Sequence, residues 1–196
     1  YDPNGSQAWS VTTAARTVLD IAVGPAGEIF VAGGDYTTAG SSAFAVTKYD
    51  ANFNRLWSRS YPVGQGAIKI GVDSRGNAIV TGTTGTYFNW MTIKLDPSGN
   101  LLWSRRYDAH RYNDEIPGFL VVGADDAAYL TGQGGPGPVS GDLSYLRTVT
   151  LKYAADGTQA WVATTFDSVR GLGLRLGRDN AVYVVGESPQ MVVRYA

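Results

Sequence analysis

One unit is repeated four times along the 196-residue chain, and this repetition constrains the fold more than any other feature. In each copy a nine-residue block ends in tryptophan, and the blocks align without a gap: residues 1–9, 49–57, 95–103 and 153–161. Residues 194–196 begin a fifth copy, and successive starts lie 48, 46, 58 and 42 residues apart. Repeats of this period indicate stacked or ring-forming units. We therefore treat residues 1–196 as one domain, with repeats starting at 1, 49, 95 and 153.

A second block repeats with equal regularity and predicts two strands joined by a tight turn. Its copies span residues 23–33, 72–82, 122–132 and 176–186. In each copy β-branched and aromatic residues flank residues that tolerate turn conformations. Every copy ends in a glycine, to which we assign a structural role: Gly33, Gly82, Gly132 and Gly186.

Each unit therefore contains four predicted strands, lettered a to d. Strand a covers residues 19–23, 68–72, 119–123 and 172–176, and strand b covers 29–32 and its equivalents. Strand c covers residues 44–49, 91–95, 149–153 and 191–195. Strand d carries one tryptophan per unit, which inter-blade packing explains: Trp9, Trp57, Trp103 and Trp161. The pattern predicts an all-β protein, a β-propeller of four four-stranded antiparallel blades.

Two stretches carry a resemblance to a known family. The segments TIKLDPSGNLLWSRRY and IGVDSRGNAIVTGTT resemble the SBBP-type β-propeller repeats of bacteria. The resemblance implies a bacterial module that is secreted or displayed at the cell surface, in a family mostly without assigned activity. It implies a fold and a location, and no reaction.

The order of the strands suggests how the ring closes. The chain begins with strand d and ends with strand c, so the N-terminal strand is expected to pair with the C-terminal blade. The alternative is that the four blades are half of a larger, eight-bladed ring. Unpaired strands at the two ends would otherwise favour aggregation.

Composition excludes several classes of function. The 17 acidic and 16 basic residues leave a net charge of −1, which predicts no nucleic-acid binding. The absence of cysteine excludes disulfides and thiolate metal sites. No apolar run reaches the roughly 18 residues of a membrane span, so we expect no membrane insertion. We predict neither a cofactor nor a metal.

Variation in length falls on one face of the predicted disc. The a–b and c–d turns keep their lengths in all four units, and we call their side the constant face. The b–c connections differ: from the last glycine of strand b to the end of strand c the separations are 16, 13, 21 and 9. Because binding loops tolerate variation, we predict that a partner meets this variable face, which carries the b–c and d–a loops. Drift in exposed loops is the alternative.

Candidate ligand-binding residues lie in these variable loops: Tyr36, Tyr87, Trp90, His110, Arg111, Tyr112, Asp114, Glu115 and Tyr145. The aromatic residues suit carbohydrate stacking, although packing explains each equally well. Asp114 and Glu115 suit a paired-carboxylate or calcium site, whereas pairing with Arg105, Arg106 and Arg111 is the simpler alternative. We assign no catalytic residue.

The predicted function is a non-enzymatic module that binds a protein or glycan partner through the variable face, or that assembles with itself. The alternative is a hydrolase or a metal-dependent lectin that uses Asp114, Glu115 and His110.

Overall fold

The protein is all-β over the residues described by its computed structural model: 3–7, 10, 17–36, 42–85, 88–108, 116–134, 147–165, 170–187 and 191–195. The side chains of Tyr36, Arg170, Glu187 and Met191 lie outside this description. Within these ranges there are fifteen strands and no helix. The prediction of an all-β fold is confirmed.

The strands form four antiparallel sheets, and within each sheet every strand pairs with the strands next to it in sequence. Sheet 1 contains β1 (Thr17–Val23), β2 (Ile29–Tyr36), β3 (Ser42–Tyr49) and β4 (Arg55–Tyr61). Sheet 2 contains β5 (Gly66–Val72), β6 (Ala78–Thr84), β7 (Asn89–Leu95) and β8 (Leu101–Tyr107). Sheet 3 contains β9 (Ile116–Val122), β10 (Ala128–Gly134), β11 (Arg147–Tyr153) and β12 (Gln159–Thr164). Sheet 4 contains β13 (Arg170–Leu176), β14 (Val182–Glu187) and β15 (Met191–Tyr195).

The predicted strand order a to d within each unit is the order observed in sheets 1 to 3. The observed first strands begin two or three residues earlier than predicted, at Thr17, Gly66, Ile116 and Arg170. Sheet 4 has three described strands. The strand expected around Trp9 lies outside the described residues, so closure by the N-terminal segment stays a prediction.

The short turns on the constant face depend on residues with positive φ. In the c–d turns Gly99 and Gly157 have φ of +81° and +83°, and Gly5 has +84° in the N-terminal copy. These values fit the prediction of β-turns in which glycine accepts a conformation that side chains disfavour. Sheet 1 is the exception, because Phe53 occupies the same position with φ of 67°.

The glycine that ends each repeated block faces an irregularity in strand a. Each sheet has a register shift in its first strand, and the glycine pairs with the residue just before that shift, for example Gly82 with Ala67. Such a bulge inserts an extra residue and bends the strand towards its partner. A Cβ atom on Gly82 would overlap the carbonyl oxygen of Gly66. The backbones are therefore too close for any side chain at this position.

The hydrophobic core consists of three clusters, each built by two successive sheets. The first joins Phe30 and Trp57 of sheet 1 to residues of sheet 2 such as Ile93. The second contains Trp103 and the third contains Trp161. Each of these tryptophans thus lies between its own sheet and the next, and Trp9 lies outside the described residues.

The sheets contact each other in one repeated manner. The first strand of sheet 2, β5, packs on β1, β2 and β3 of sheet 1. In the same way β9 packs on β5, β6 and β7, and β13 packs on β9, β10 and β11. Strand a of one sheet is therefore the element that covers the preceding sheet.

We expect Gly82→Ala to lower the free energy of unfolding by at least about 2 kcal/mol, because the new methyl group must push two paired strands apart. Urea unfolding followed by circular dichroism measures this change. Gly173→Ala is the matched control, since a Cβ there meets only Val185 at an ordinary 3.9 Å. Equal stability of the two variants would contradict the role assigned to Gly82.

Candidate functional site

A cation from strand c meets a carboxylate of the a–b turn in every sheet. The cation stands one residue before the end of the strand, on the constant face. The pairs and their N–O distances are Lys48–Glu28 at 3.2 Å, Lys94–Asp73 at 2.8 Å, Lys152–Asp125 at 2.8 Å and Arg194–Asp179 at 2.7 Å. The repeat therefore encodes a charge pair in addition to its turns and tryptophans.

The exposure of this cation increases along the chain. The side chains of Lys48 and Lys94 are 5% and 4% exposed, whereas those of Lys152 and Arg194 are 22% and 49% exposed. The first two are covered by the c–d turn of the following sheet. No c–d turn following β15 is described, and no described sheet follows sheet 4.

The covering turn is held by hydrogen bonds to one of its carbonyl oxygens. Lys94 Nζ and Trp103 Nε1 of sheet 2 both donate to the carbonyl oxygen of Ala155 in sheet 3, at 3.1 and 3.2 Å. Lys48 Nζ and Trp57 Nε1 donate in the same way to Pro97 O, at 3.3 and 3.1 Å. The strand-d tryptophan thus contributes both apolar area and a directional bond.

Arginine and tyrosine side chains add further bonds to the same turns. Arg105 Nε donates to Gly157 O at 2.7 Å, and Tyr61 OH donates to Gly99 O at 2.7 Å. Burial raises the pKa of Tyr61 to about 12, so its hydroxyl keeps its proton and remains a donor at neutral pH. The c–d turns of sheets 2 and 3 are therefore each bound to the preceding sheet through two carbonyl groups.

A half-open cleft of about 260 Å³ lies on the constant face between sheets 2 and 3. Its lining is rich in charged side chains, and it is the candidate site. Its lining comes from the a–b turns of both sheets, from strands β7 and β8 and from the c–d turn of sheet 3: Asp73, Arg75, Asn77, Lys94, Leu102, Asp126, Ala155 and Asp156.

The carboxylates of this cleft already have donors within the protein. Asp73 Oδ1 accepts from the backbone N–H groups of Arg75 and Asn77, and Asp73 Oδ2 accepts from Asn77 Nδ2 and Lys94 Nζ. Asp126 accepts from the N–H and hydroxyl of Ser74, at 2.9 and 3.0 Å, and so joins sheet 3 to sheet 2. Asp156 accepts from Thr158 N in its own turn. Among the described residues no group of three His, Asp or Glu side chains is placed to hold a metal ion.

The electrostatics of the cleft keep its buried acid ionised. Burial by itself would raise the pKa of Asp73, but hydrogen bonds from Lys94 and Asn77 and the charge of Lys94 outweigh it and hold the pKa below its ordinary value of 3.8. A carboxyl group in this state is a poor proton donor at neutral pH. The arrangement is suited to holding turns together.

Most of the residues predicted for the variable face lie outside the described ranges. This applies to Tyr87, His110, Arg111, Tyr112, Asp114, Glu115 and Tyr145, and to the side chain of Tyr36. Of their charged neighbours, Arg106 of β8 pairs with Asp108 at 2.7 Å, whereas the pairing of arginines with Asp114 and Glu115 lies outside the described residues and stays a prediction. Arg105 instead bonds to Gly157 on the constant face.

Trp90 differs from its expected position on a ligand-facing surface. Its side chain is buried, with the residue 1% exposed, and it belongs to the cluster between sheets 2 and 3. Its Nε1 donates to Gln133 O of sheet 3 at 3.1 Å, and its ring contacts that of Tyr107 with centroids 5.6 Å apart. The packing alternative therefore applies to Trp90, because residue 90 lies within β7 and not in a loop.

The repeated charge pair escaped the sequence analysis. Its signal is a basic residue one position before the end of each predicted strand c: Lys48, Lys94, Lys152 and Arg194. The carboxylates do not all align, since Asp73 lies one residue after its strand whereas Asp125 and Asp179 lie three residues after theirs. Repeat alignment finds the cation but not its partner.

Comparison with known proteins identifies the fold only. No family model matches the chain, and no curated protein matches it. A solved structure, that of a protein of unknown function from Bacteroides caccae, superimposes with a TM-score of 0.57 at 12% sequence identity. The match covers 91% of this chain and 56% of that chain, so the present chain spans little more than half the length of its structural neighbour. No helix among the described residues is long and apolar enough to cross a membrane.

We expect Asp73→Ala to lower the free energy of unfolding by about 3–5 kcal/mol, because it leaves the buried Lys94 ammonium without its counter-charge. Asp179→Ala is the matched control. It removes the same kind of pair where both partners are about half exposed, and we expect a much smaller effect. Parallel urea titrations compare the two variants, and equal losses would contradict a special role for the buried pair.

The lowered pKa of Asp73 also predicts how stability depends on pH. Because the folded pKa is below the ordinary value of 3.8, the unfolded chain takes up protons first as the pH falls. The contribution of Asp73 is thus complete only well above the ordinary value of 3.8 and is lost as the pH falls through the lower pKa of the folded state. Asp73→Asn cannot titrate, so its unfolding free energy should decline less steeply than that of the native chain between about pH 5 and pH 3. Parallel declines would show that other groups account for the acid sensitivity.

Proposed function

We propose that the four sheets are blades of a β-propeller and that the chain is a non-enzymatic binding and assembly module, secreted or displayed at a bacterial surface. The observation that carries this proposal is the use of polar groups on the constant face. Lys94 and Trp103 join one sheet to the next, and Asp73 supplies the counter-charge of Lys94. Ionisable groups that an enzyme would use for chemistry serve here as structural links.

The geometry also supports different roles for the two faces. The a–b and c–d turns that meet on the constant face are short. The carboxylates of Asp73 and Asp96 accept hydrogen bonds from backbone N–H groups of their own turns. The connections of unequal length leave from the opposite ends of the strands. We propose that a protein or glycan partner binds there, at the variable face, with His110, Arg111 and Tyr112 among its contacts.

The binding proposal predicts a face-specific effect of mutation. In a glycan-array experiment with the labelled chain, deletion of residues 135–144 or the double change His110→Ala and Arg111→Ala should reduce the bound signal at least about tenfold, because both changes remove contacts on the variable face. Arg75→Ala is the control on the constant face, where this side chain is 81% exposed.

Retention of binding by the loop variants together with its loss in Arg75→Ala would place the site on the constant face and contradict the proposal.

The enzyme alternative has its own test. Chromogenic glycosides and esters are offered to the native chain with and without calcium, and to a variant with Asp114→Ala and Glu115→Ala. Turnover that this variant loses would establish the hydrolase alternative.

A further inference from the structure

Two apolar strips are exposed at opposite ends of the array of sheets. On sheet 1 the strip consists of Val18, Ile21 and Val23 of β1, which are 50%, 61% and 67% exposed. We call this the β1 strip. On sheet 4 it consists of Tyr183 and Val185 of β14 and Val192 of β15, which are 38%, 44% and 71% exposed. We call this the β14–β15 strip.

The positions equivalent to the β1 strip are less exposed in the other sheets. Ile21 corresponds in the repeat to Ile70 and Leu174, which are 5% and 1% exposed, and to Leu120, which is partly buried. The equivalents of Val23 are partly buried and pack against the hydrophobic clusters. These residues are covered because strand a of each sheet packs on the sheet before it. Ile21 is apolar like its equivalents, but no described sheet precedes sheet 1.

The positions equivalent to the β14–β15 strip are buried as well. Tyr183 corresponds to Phe30, Ile79 and Tyr129, which are at most 2% exposed. Val185, paired with Val192 across the strands, corresponds to buried residues in sheets 1 to 3. In those sheets the face is covered by strand a of the following sheet. Sheet 4 lacks that cover among the described residues.

The two strips are therefore the two halves of one interface. Strand a packs on strands a, b and c of the preceding sheet at each of the three sheet junctions. The β1 strip lies on a strand a that has no described preceding sheet to pack on. The β14–β15 strip lies on a sheet that has no described strand a packed against it. Both are exposed in the same chain, so the described β1 does not cover its own sheet 4.

We propose that a second copy of this chain covers these strips: β1 of each copy packs on sheet 4 of the other, which joins eight sheets into one ring. The proposal rests on the blade arrangement proposed above and commits to the larger of its two rings. Each junction joins two different surfaces, and two such junctions related by a two-fold axis close the ring without leaving a strip exposed.

Two glycine positions in the c–d turns support this arrangement. A Cβ on Gly157 would come within 2.8 Å of Trp103, the tryptophan of the preceding sheet, whereas Gly5 in the N-terminal copy has nothing within 4 Å. The N-terminal turn is thus not stacked on a tryptophan as the turn of sheet 3 is. In sheet 1 the same position holds Phe53, with φ of 67°.

The mass of the native chain in solution tests the proposal. Sedimentation equilibrium over a range of protein concentrations should show twice the 20.9 kDa of the single chain. Ile21→Lys and Val192→Lys should each raise the dimer dissociation constant at least about tenfold, because each places a charge in the new junction. Leu101→Lys is the control, as it changes an exposed apolar residue of β8, 47% exposed, that lies outside both strips. Circular dichroism melting confirms that each variant is folded.

Mixing the two variants tests the pairing of unlike surfaces. Ile21→Lys keeps an intact β14–β15 strip and Val192→Lys keeps an intact β1 strip, so their mixture regains one native junction and should dimerise more tightly than either variant alone. A monomeric native chain at the highest concentration overturns the proposal, as does a dimer that Ile21→Lys and Val192→Lys leave unchanged. If the native chain is monomeric but still binds glycan through the variable face, this inference fails while the proposed function stands.

Discussion

The contact between one sheet and the c–d turn of the next is the constraint on which the structure depends. A single carbonyl oxygen, that of Ala155 or Pro97, accepts both a lysine ammonium and a tryptophan indole from the preceding sheet. The lysine is buried by the turn it holds, and it therefore needs a carboxylate beside it, because an unpaired buried charge is strongly unfavourable. The charge pair, the tryptophan and the turn form one unit that recurs at successive junctions.

This unit explains why the constant face keeps its lengths. The turn must bring its carbonyl oxygen to a fixed point on the neighbouring sheet, so an added or lost residue would break the bonds to Lys94 and Trp103. Connections at the opposite ends of the strands carry no such requirement. The asymmetry between the faces thus has a mechanical cause, and it is compatible with a binding role for the loops without depending on one.

The same unit is incomplete at the ends of the array. Arg194 and Asp179 form the pair of sheet 4 but remain about half exposed, since no described turn covers them. Apolar residues on β1 and on β14 and β15 are more exposed than their equivalents in the other sheets. A repeat that stabilises itself only through its neighbours leaves unsatisfied surfaces at its ends unless a ring closes. The assembly proposed above would cover these surfaces.

The sequence by itself determined the number of units, the strand order within them and the turns, because these depend on local alternation and on residues such as Gly99 that tolerate positive φ. It also located the strand-d tryptophans. The partners of these groups were decided only by the tertiary structure: the carboxylate of the charge pair stands one, three or five residues after its strand, and Trp90, which the sequence placed in a variable loop, is buried between two sheets. The bonds across the junctions join residues 40 to 61 positions apart in the chain, and their identity depends on how one sheet is placed on another.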